Sequence, residues 1–313
     1  MSGLAAAMGR VALLYGGHSA EREVSLKSGA AVLAALRSEG VDVTAIDCRQ
    51  GAVEQLQAGG FDRAFIALHG PGGEDGSIQG LLDWLQIPYT GSGVMASSLG
   101  MDKVRCKQLW RGVGLPTAQF ATLTADSDWA QCLAALGGAA MVKPAQEGSS
   151  IGMARVDSAA GLEAAWRAAV HYDGQVLAEA LLPGPEYTVS IVGRQVLPAI
   201  HIEVAGSFYD YSAKYLSDTT QYHCPAAIPA PLAEQLSSLA LAAFDAIGCR
   251  GWGRVDLMCD QRGAPQLLEV NTVPGMTDHS LVPMAAAAAG LNFSQLVMAI
   301  LSTTLDGATG GGV

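Results

Sequence analysis

Glu269-Val270-Asn271-Thr272-Val273-Pro274-Gly275-Met276-Thr277-Asp278-His279-Ser280 decides the reading of this 313-residue chain. Its first residues close a short apolar run, Gln266-Leu267-Leu268-Glu269-Val270, of the kind that forms a buried strand. Side chains alternate faces along a strand, so Glu269 and Asn271 project to one side at its carboxyl end. Pro274-Gly275 then forces a sharp turn, and an apolar helical pattern begins at Ser280 and Leu281 and runs through Val282, Pro283, Met284 and Ala285. Two oxygen ligands on one face beside a tight turn suit a hard cation. Ordinary polar residues capping a strand end would give the same pattern.

A second apolar strand lies just upstream, Gly253-Arg254-Val255-Asp256-Leu257-Met258, and Asp260-Gln261-Arg262-Gly263 separates the two as a hairpin turn would. Pairing across that turn brings Asp256 beside Glu269. Arg254 is one strand alternation from Asp256 and shares its face. An Asp, Glu and Asn set fits magnesium, which takes oxygen ligands at roughly 2.0–2.1 Å and completes its octahedron with water and phosphates. Zinc prefers nitrogen and sulfur, and fits less well.

The middle of the chain adds a phosphate-binding candidate. Ala139-Ala140-Met141-Val142-Lys143-Pro144 reads as a strand ending at a lysine. The donor-rich loop Glu147-Gly148-Ser149-Ser150-Ile151-Gly152 and a second strand, Met153-Ala154-Arg155-Val156, follow it. Backbone amides and hydroxyls in such a loop can fold over phosphates, with Lys143 as a compact positive charge. It is not a Walker A loop, in which the lysine closes the loop and opens a helix. A plain hairpin tip has the same composition. Next, Gln175-Val176-Leu177-Ala178-Glu179-Ala180-Leu181-Leu182 and Pro183-Gly184-Pro185-Glu186 offer an apolar slot with polar edges, which an adenosine needs.

Seven stretches in this order carry a resemblance: Gly16-Gly17-His18-Ser19-Ala20-Glu21-Arg22-Glu23-Val24-Ser25, His69-Gly70, Tyr89-Thr90-Gly91-Ser92, Met101-Asp102-Lys103, Glu147-Gly148-Ser149-Ser150, Tyr209-Asp210-Tyr211 through Lys214-Tyr215, and the strand with its Asn-Thr-x-Pro-Gly turn. From about Arg10 to Leu301 the chain resembles the D-alanine:D-alanine ligases of the ATP-grasp superfamily. The resemblance implies a fold of mixed α/β and α+β class, a Rossmann-like amino-terminal domain followed by two ATP-grasp α+β subdomains. Boundaries are expected at 1–102, 103–184 and 185–313. In agreement, Val11-Ala12-Leu13-Leu14-Tyr15 enters a Gly-Gly turn and then a helical pattern. Residues 159–171 read as a helix of the central domain.

The same resemblance implies the chemistry. One D-alanine carboxylate takes the γ-phosphoryl group of ATP, and the amine of a second D-alanine displaces phosphate from the acyl phosphate, for peptidoglycan precursor synthesis and cell shape. It assigns catalysis to Glu21, Ser149, Tyr215, Arg254 and Gly275, with Glu21, Ser149 and Tyr215 as a hydrogen-bonded triad. Substrate contacts fall to His69, Ser280 and Leu281. ATP contacts fall to Lys103, Lys143, Glu179, Leu181, Leu182, Glu186 and Lys214. Two magnesium or manganese ions per active site are assigned to Asp256, Glu269 and Asn271. Residues 206–226 are expected to be a long irregular lid that excludes water from the acyl phosphate. A homodimer in the cytoplasm is implied as well. The chain departs from its relatives at Leu181, where an aromatic is frequent, and at Ala145-Gln146, in place of a Ser/Arg pair.

Composition is consistent with this. With 18 Lys and Arg against 29 Asp and Glu, a formal charge of −11 argues against nucleic acid or an anionic membrane as partner. Six cysteines without C-x-x-C spacing indicate neither zinc nor redox chemistry, and read as reduced core residues. Residues 1–10 do not read as a signal peptide, the alanine run at 285–289 is too short to span a bilayer, and residues 307–313 read as disordered. Three other functions fit parts of the chain. A D-alanine:D-lactate ligase would differ in acceptor. A nucleotide-dependent oxidoreductase would need the G-x-G-x-x-G fingerprint, which is missing. An inactive ATP-binding module should lack Arg254, Glu269 or Asn271.

Overall fold

A computed structural model describes residues 2–148, 152–203, 220–277 and 279–306. Ser149, Lys214, Tyr215, most of the expected lid and the glycine-rich residues 307–313 lie outside the described residues.

The chain forms three sheets. In the first, β1 (Arg10–Tyr15), β2 (Asp42–Asp47) and β3 (Arg63–Ile66) run parallel in the order β2-β1-β3. Val11, Ala12, Leu13 and Leu14 are all fully buried. Both faces of a parallel sheet are covered, so the central strand is apolar throughout rather than alternating. Helix Arg22–Ser38 follows β1 after a loop in which Gly16 and Gly17 both have φ +75°, a conformation glycine adopts without strain.

The second sheet joins β4 (Phe120–Leu123), β5 (Ala140–Pro144), β6 (Ala154–Val156) and β7 (Val176–Ala180), antiparallel, in the order β4-β7-β5-β6. Helices Trp129–Ala135 and Ala159–Ala169 supply Leu133 and Leu162 to its core, and Ser158 caps the second of these helices by accepting from Gly161 N. The third sheet holds β8 (Glu186–Val192), β9 (Gln195–Val196), β10 (Ile200–Glu203), β11 (Gln221–His223), β12 (Trp252–Cys259) and β13 (Pro265–Asn271). Its order is β11-β10-β8-β12-β13, with β9 on β8. Gln221–His223 therefore pairs with β10 instead of continuing an irregular segment to 226.

Packing crosses the expected boundaries. Helix Lys103–Gly112 lies against β13 and helix Ala230–Ala246 of the third layer, where Trp110 is fully buried and its Nε1 donates to Ala243 O at 3.1 Å. Helices Leu281–Ala288 and Phe293–Asp306 return to the first core, bringing Val282, Leu296, Ile300 and Leu301. Among the described residues no single helix is long and apolar enough to cross a membrane.

Candidate active site

The hairpin of β12 and β13 is built by its turn. Asp260 Oδ1 accepts from Arg262 N and Ala264 N at 2.8 and 3.0 Å, and Gly263 takes the left-handed conformation the reversal requires. Asp256 stands opposite Glu269 and Arg254 opposite Asn271, with the register shifting between Asp256 and Leu257. The two predicted carboxylates, the arginine and the amide thus share one face.

Their contacts centre on Asp256, which is buried. Arg254 Nε donates to Oδ1 and Nη2 to Oδ2, each at 2.9 Å, a bidentate pair. Thr188 Oγ1, reaching from β8, donates to Oδ1 at 2.6 Å, and Asn271 Nδ2 donates to Oδ2 at 3.1 Å. Glu269 is half-buried, with Lys103 Nζ 3.6 Å from its Oε2. Among the described residues no three His, Cys, Asp or Glu side chains converge as a metal cluster. The expected set is two carboxylates and an amide. That set fits a hard divalent cation, whose remaining positions water and phosphate oxygens would fill, and it does not fit zinc.

A wall of lysines belongs to the second sheet and the helix beneath it. Lys143 on β5 and Glu179 on β7 form a close ion pair on one face of the sheet. Lys107 comes up from helix Lys103–Gly112 to 2.8 Å from the other oxygen, Glu179 Oε2. Burial pushes the Glu179 carboxyl up, but Lys107 and Lys143 outweigh it and hold the group at about 2. For Lys143, burial is outweighed by the charges of Glu179 and Glu269, which raise it, so the acidic hairpin and the lysine wall act on each other electrostatically. Glu186 at the start of β8 adds to that field. Leu181 and Leu182 lie half-buried on the passage from β7 to β8, where Leu181 N donates to Ala139 O.

The loop after β5 is fastened to the same helix. Lys103 N donates to Ala145 O at 3.0 Å, Lys103 Nζ to Glu147 O at 2.6 Å, and Gln146 Nε2 to Asp102 Oδ2 at 3.3 Å. Ala145 and Gln146, the departures noted in the sequence, serve this attachment. Beyond them Gly148 meets the first layer: a Cβ there would stand 3.2 Å from Glu21 Oε2, and one at Gly70 only 2.7 Å. Glu21 is therefore enclosed by two glycines, next to the loop carrying Ser149.

The turn after β13 is held from the first layer by His69. Its Nδ1 is 2.9 Å from Val273 O, a pure acceptor, so Nδ1 carries the proton and Nε2 accepts from Ser28 Oγ at 3.0 Å. Ser28 Oγ in turn accepts from Met276 N. Both ring nitrogens are thus engaged in holding this turn, and the ring is only 5% exposed. A Cβ at Gly275 would lie 2.9 Å from Ser280 Oγ, which already accepts from Thr277 N at 2.9 Å. Ser280 makes no side-chain hydrogen bond to the helix it precedes, and Leu281 is buried in the first core.

Two participants escape the sequence reading. Lys107 is four residues after Lys103, a helical neighbour on the same face, and that spacing was its one signal. Thr188 had none, being one of many polar residues at a strand position.

Comparison with known proteins identifies the family. Models of the D-ala D-ala ligase N-terminus match residues 10–55 and 50–92, and that of the D-ala D-ala ligase C-terminus matches residues 109–302. The chain is 57% identical over 299 residues to the D-alanine–D-alanine ligase of Pseudomonas putida strain GB-1, covering 96% of this chain and 94% of that one. It is 55% identical over 300 residues to the enzyme of that name from Nitrosococcus oceani, covering 96% and 95%. Among solved structures, the D-alanine–D-alanine ligase of Bacillus anthracis complexed with ATP superposes with a TM-score of 0.85 at 33% identity, covering 97% of this chain and all of that one. The VanG D-Ala:D-Ser ligase of Enterococcus faecalis gives 0.82 at 28% identity, covering 95% and 99%. The chain belongs to the D-alanine–D-alanine ligase family.

Proposed function

We infer that the protein condenses two D-alanine molecules into D-alanyl-D-alanine with conversion of ATP to ADP and phosphate, a step of peptidoglycan precursor synthesis. The observation that carries this reading is the acidic hairpin of the third sheet standing against the lysine wall of the second. A carboxylate that attacks a polyanion needs such an excess of fixed cations, and the 3.6 Å approach of Lys103 to Glu269 supports one ligand meeting both walls.

In the first step an oxygen of the first D-alanine carboxylate bonds to the γ-phosphorus and the bond to ADP breaks. Lys143 and Lys103 neutralise charge on the phosphates. Asp256, Glu269 and Asn271 would hold magnesium or manganese, two ions by family resemblance, and bound metal would offset the charge of the β- and γ-phosphate oxygens. Arg254 leaves its in-plane hold on Asp256 to bind the acyl phosphate. In the second step the neutral amine of the other D-alanine attacks the carbonyl carbon, the oxyanion is met by Arg254 and the Gly275 amide, and as the oxyanion collapses phosphate departs, taking up the proton that the amine nitrogen loses. Glu21, with Ser149 and Tyr215, is assigned to the substrate ammonium, and the backbone at Ser280 and Leu281 to the acceptor carboxylate, where a helix amino terminus favours an anion. Leu181, Leu182, Glu179 and Glu186 are assigned to adenosine, and Lys214 to phosphate. His69 supports the turn bearing Gly275.

We place the enzyme in the cytoplasm, in keeping with six free cysteines. We also assign a homodimer, which would cover apolar side chains such as Trp84 and Met95, 87% and 68% exposed. The purified protein, incubated with ATP, magnesium and a panel of D-alanine, L-alanine, D-serine and D-lactate, is expected to release phosphate with D-alanine and give the dipeptide by mass spectrometry. Equal phosphate release with L-alanine, or no dipeptide, would overturn the reading.

A further inference from the structure

Lys107 is fully buried, so no ligand reaches it, yet a methionine would fill the same space without the cost of burying a charge. Its ammonium donates to Thr117 Oγ1 at 2.7 Å and to Leu267 O at 3.2 Å and forms an ion pair with Glu179 Oε2 at 2.8 Å. Thr117 Oγ1 also donates to Leu267 O at 2.8 Å, closing a ring. Leu267 is two residues before Glu269 on β13, and Glu179 is on β7. One ammonium therefore ties the helix, the second sheet and the strand that carries the acidic face of the cleft.

Charge accounting gives this site its function. Glu179 contacts two lysines. One is enclosed; the other, Lys143, is 10% exposed. Counting Lys107, Lys143 and Glu179, two positive charges meet one negative, and the surplus falls to Lys143, the more exposed member, where Glu269 and Glu186 also act on it. Without Lys107, Glu179 and Lys143 would be a neutral buried pair that holds the Lys143 ammonium back from an incoming anion. We propose that Lys107 is a positioning residue for nucleotide binding: it occupies Glu179 so that Lys143 presents a full charge to the phosphates. This inference rests on the assignment of Lys143 to ATP phosphate.

The test uses the full-length protein and calorimetric titration with ADP and with adenosine, alongside KM for ATP and for D-alanine. In Lys107→Met, ADP affinity is expected to fall about tenfold or more, the scale of one hydrogen bond to a charged group. KM for ATP should rise with it, and adenosine affinity and KM for D-alanine should stay within about twofold of wild type. Adding Glu179→Gln to Lys107→Met removes the charge that captures Lys143, and ADP affinity relative to adenosine is expected to recover. A merely structural role would lower ADP and adenosine affinity together and would not be rescued by the second substitution; either result overturns the proposal. Should Lys107→Met fail to fold, Thr117→Val removes one partner of the ammonium at nearly constant volume. It is expected to weaken ADP binding a few-fold with adenosine unchanged, and wild-type ADP affinity in that variant sinks the idea. Lys143→Met separates the two readings. If it weakens ADP binding while Lys107→Met does not, the inference about Lys107 alone fails; if it leaves ADP binding intact, the phosphate assignment fails and takes the inference with it.

Discussion

The lysine wall and the acidic hairpin meet where Lys103 approaches Glu269 but are finished to different degrees. Lys107, Glu179 and Lys143 are buried, and the Lys107 ammonium already holds two hydrogen-bond acceptors and a carboxylate before any ligand arrives. On the hairpin the assigned residues are bound to each other: Arg254 occupies the two oxygens of Asp256 that a cation would use. The first surface is preorganised, whereas the second must exchange partners when substrates enter. Substitutions on the hairpin should therefore cost turnover and spare stability, and those in the wall should cost stability together with nucleotide affinity.

The strongest way to break this contrast is Glu269→Gln. Dipeptide formation at ordinary magnesium is expected to fall about 10³-fold, as loss of several kcal/mol of metal-mediated stabilisation implies. The melting temperature should barely move, because the half-buried group faces the cleft. Near-normal activity would remove Glu269 from the metal site. On the other side, Glu179→Gln leaves Lys107 buried beside a neutral amide, and a drop of about 3–5 kcal/mol in denaturant-derived stability is expected. A loss below about 1 kcal/mol would mean the wall is no more committed than a surface pair.

Arg254→Ala sharpens the comparison within the hairpin. It should lower kcat about 10²–10³-fold, the range for loss of one donor to a developing oxyanion. Should KM for ATP rise with kcat unaltered, the arginine serves ground-state binding only. Acidity probes the wall independently. Glu179 is held at about 2 against an ordinary value of 4.5, so its contribution is complete above pH 4.5 and disappears as pH falls toward 2. That contribution is on the order of 3 kcal/mol. Wild type should lose stability through that window more steeply than Glu179→Gln; parallel curves would refute the pairing. The smallest effect belongs to Asp47, also held at about 2, first by its hydrogen bond to Arg22, but at the surface. Asp47→Asn should change stability by less than about 1 kcal/mol, measured by the same denaturant titration.

Much of this was legible where local rules decide. The apolar run at β1, the Asp260 to Gly263 turn and the alternation of Arg254, Asp256, Glu269 and Asn271 fix strands, hairpin and shared face from short-range chemistry. What long-range packing decides was not legible. Lys107 sits in Lys103-Val104-Arg105-Cys106-Lys107, which reads as a solvated helical face until β7 and β13 arrive to bury it. The hold of His69 on Ser28 and Val273 has no local signal, because those partners are 41 and 204 residues away. Nothing local in helix Lys103–Gly112 announces that Trp110 packs on helix Ala230–Ala246. The short polar strand β11 has no alternation to announce it and exists by pairing with β10.

The return of helix Phe293–Asp306 to lie against helix Arg22–Ser38 has a consequence for synthesis on the ribosome. The layer made first is the layer completed last: Leu36 and Ile46 wait for Leu296, Ile300 and Leu301 to leave the exit tunnel before their common core is closed. Through most of translation the nascent chain therefore carries an unfinished apolar face, and a message truncated before residue 293 yields a product that keeps it exposed, a natural target for chaperones and proteases.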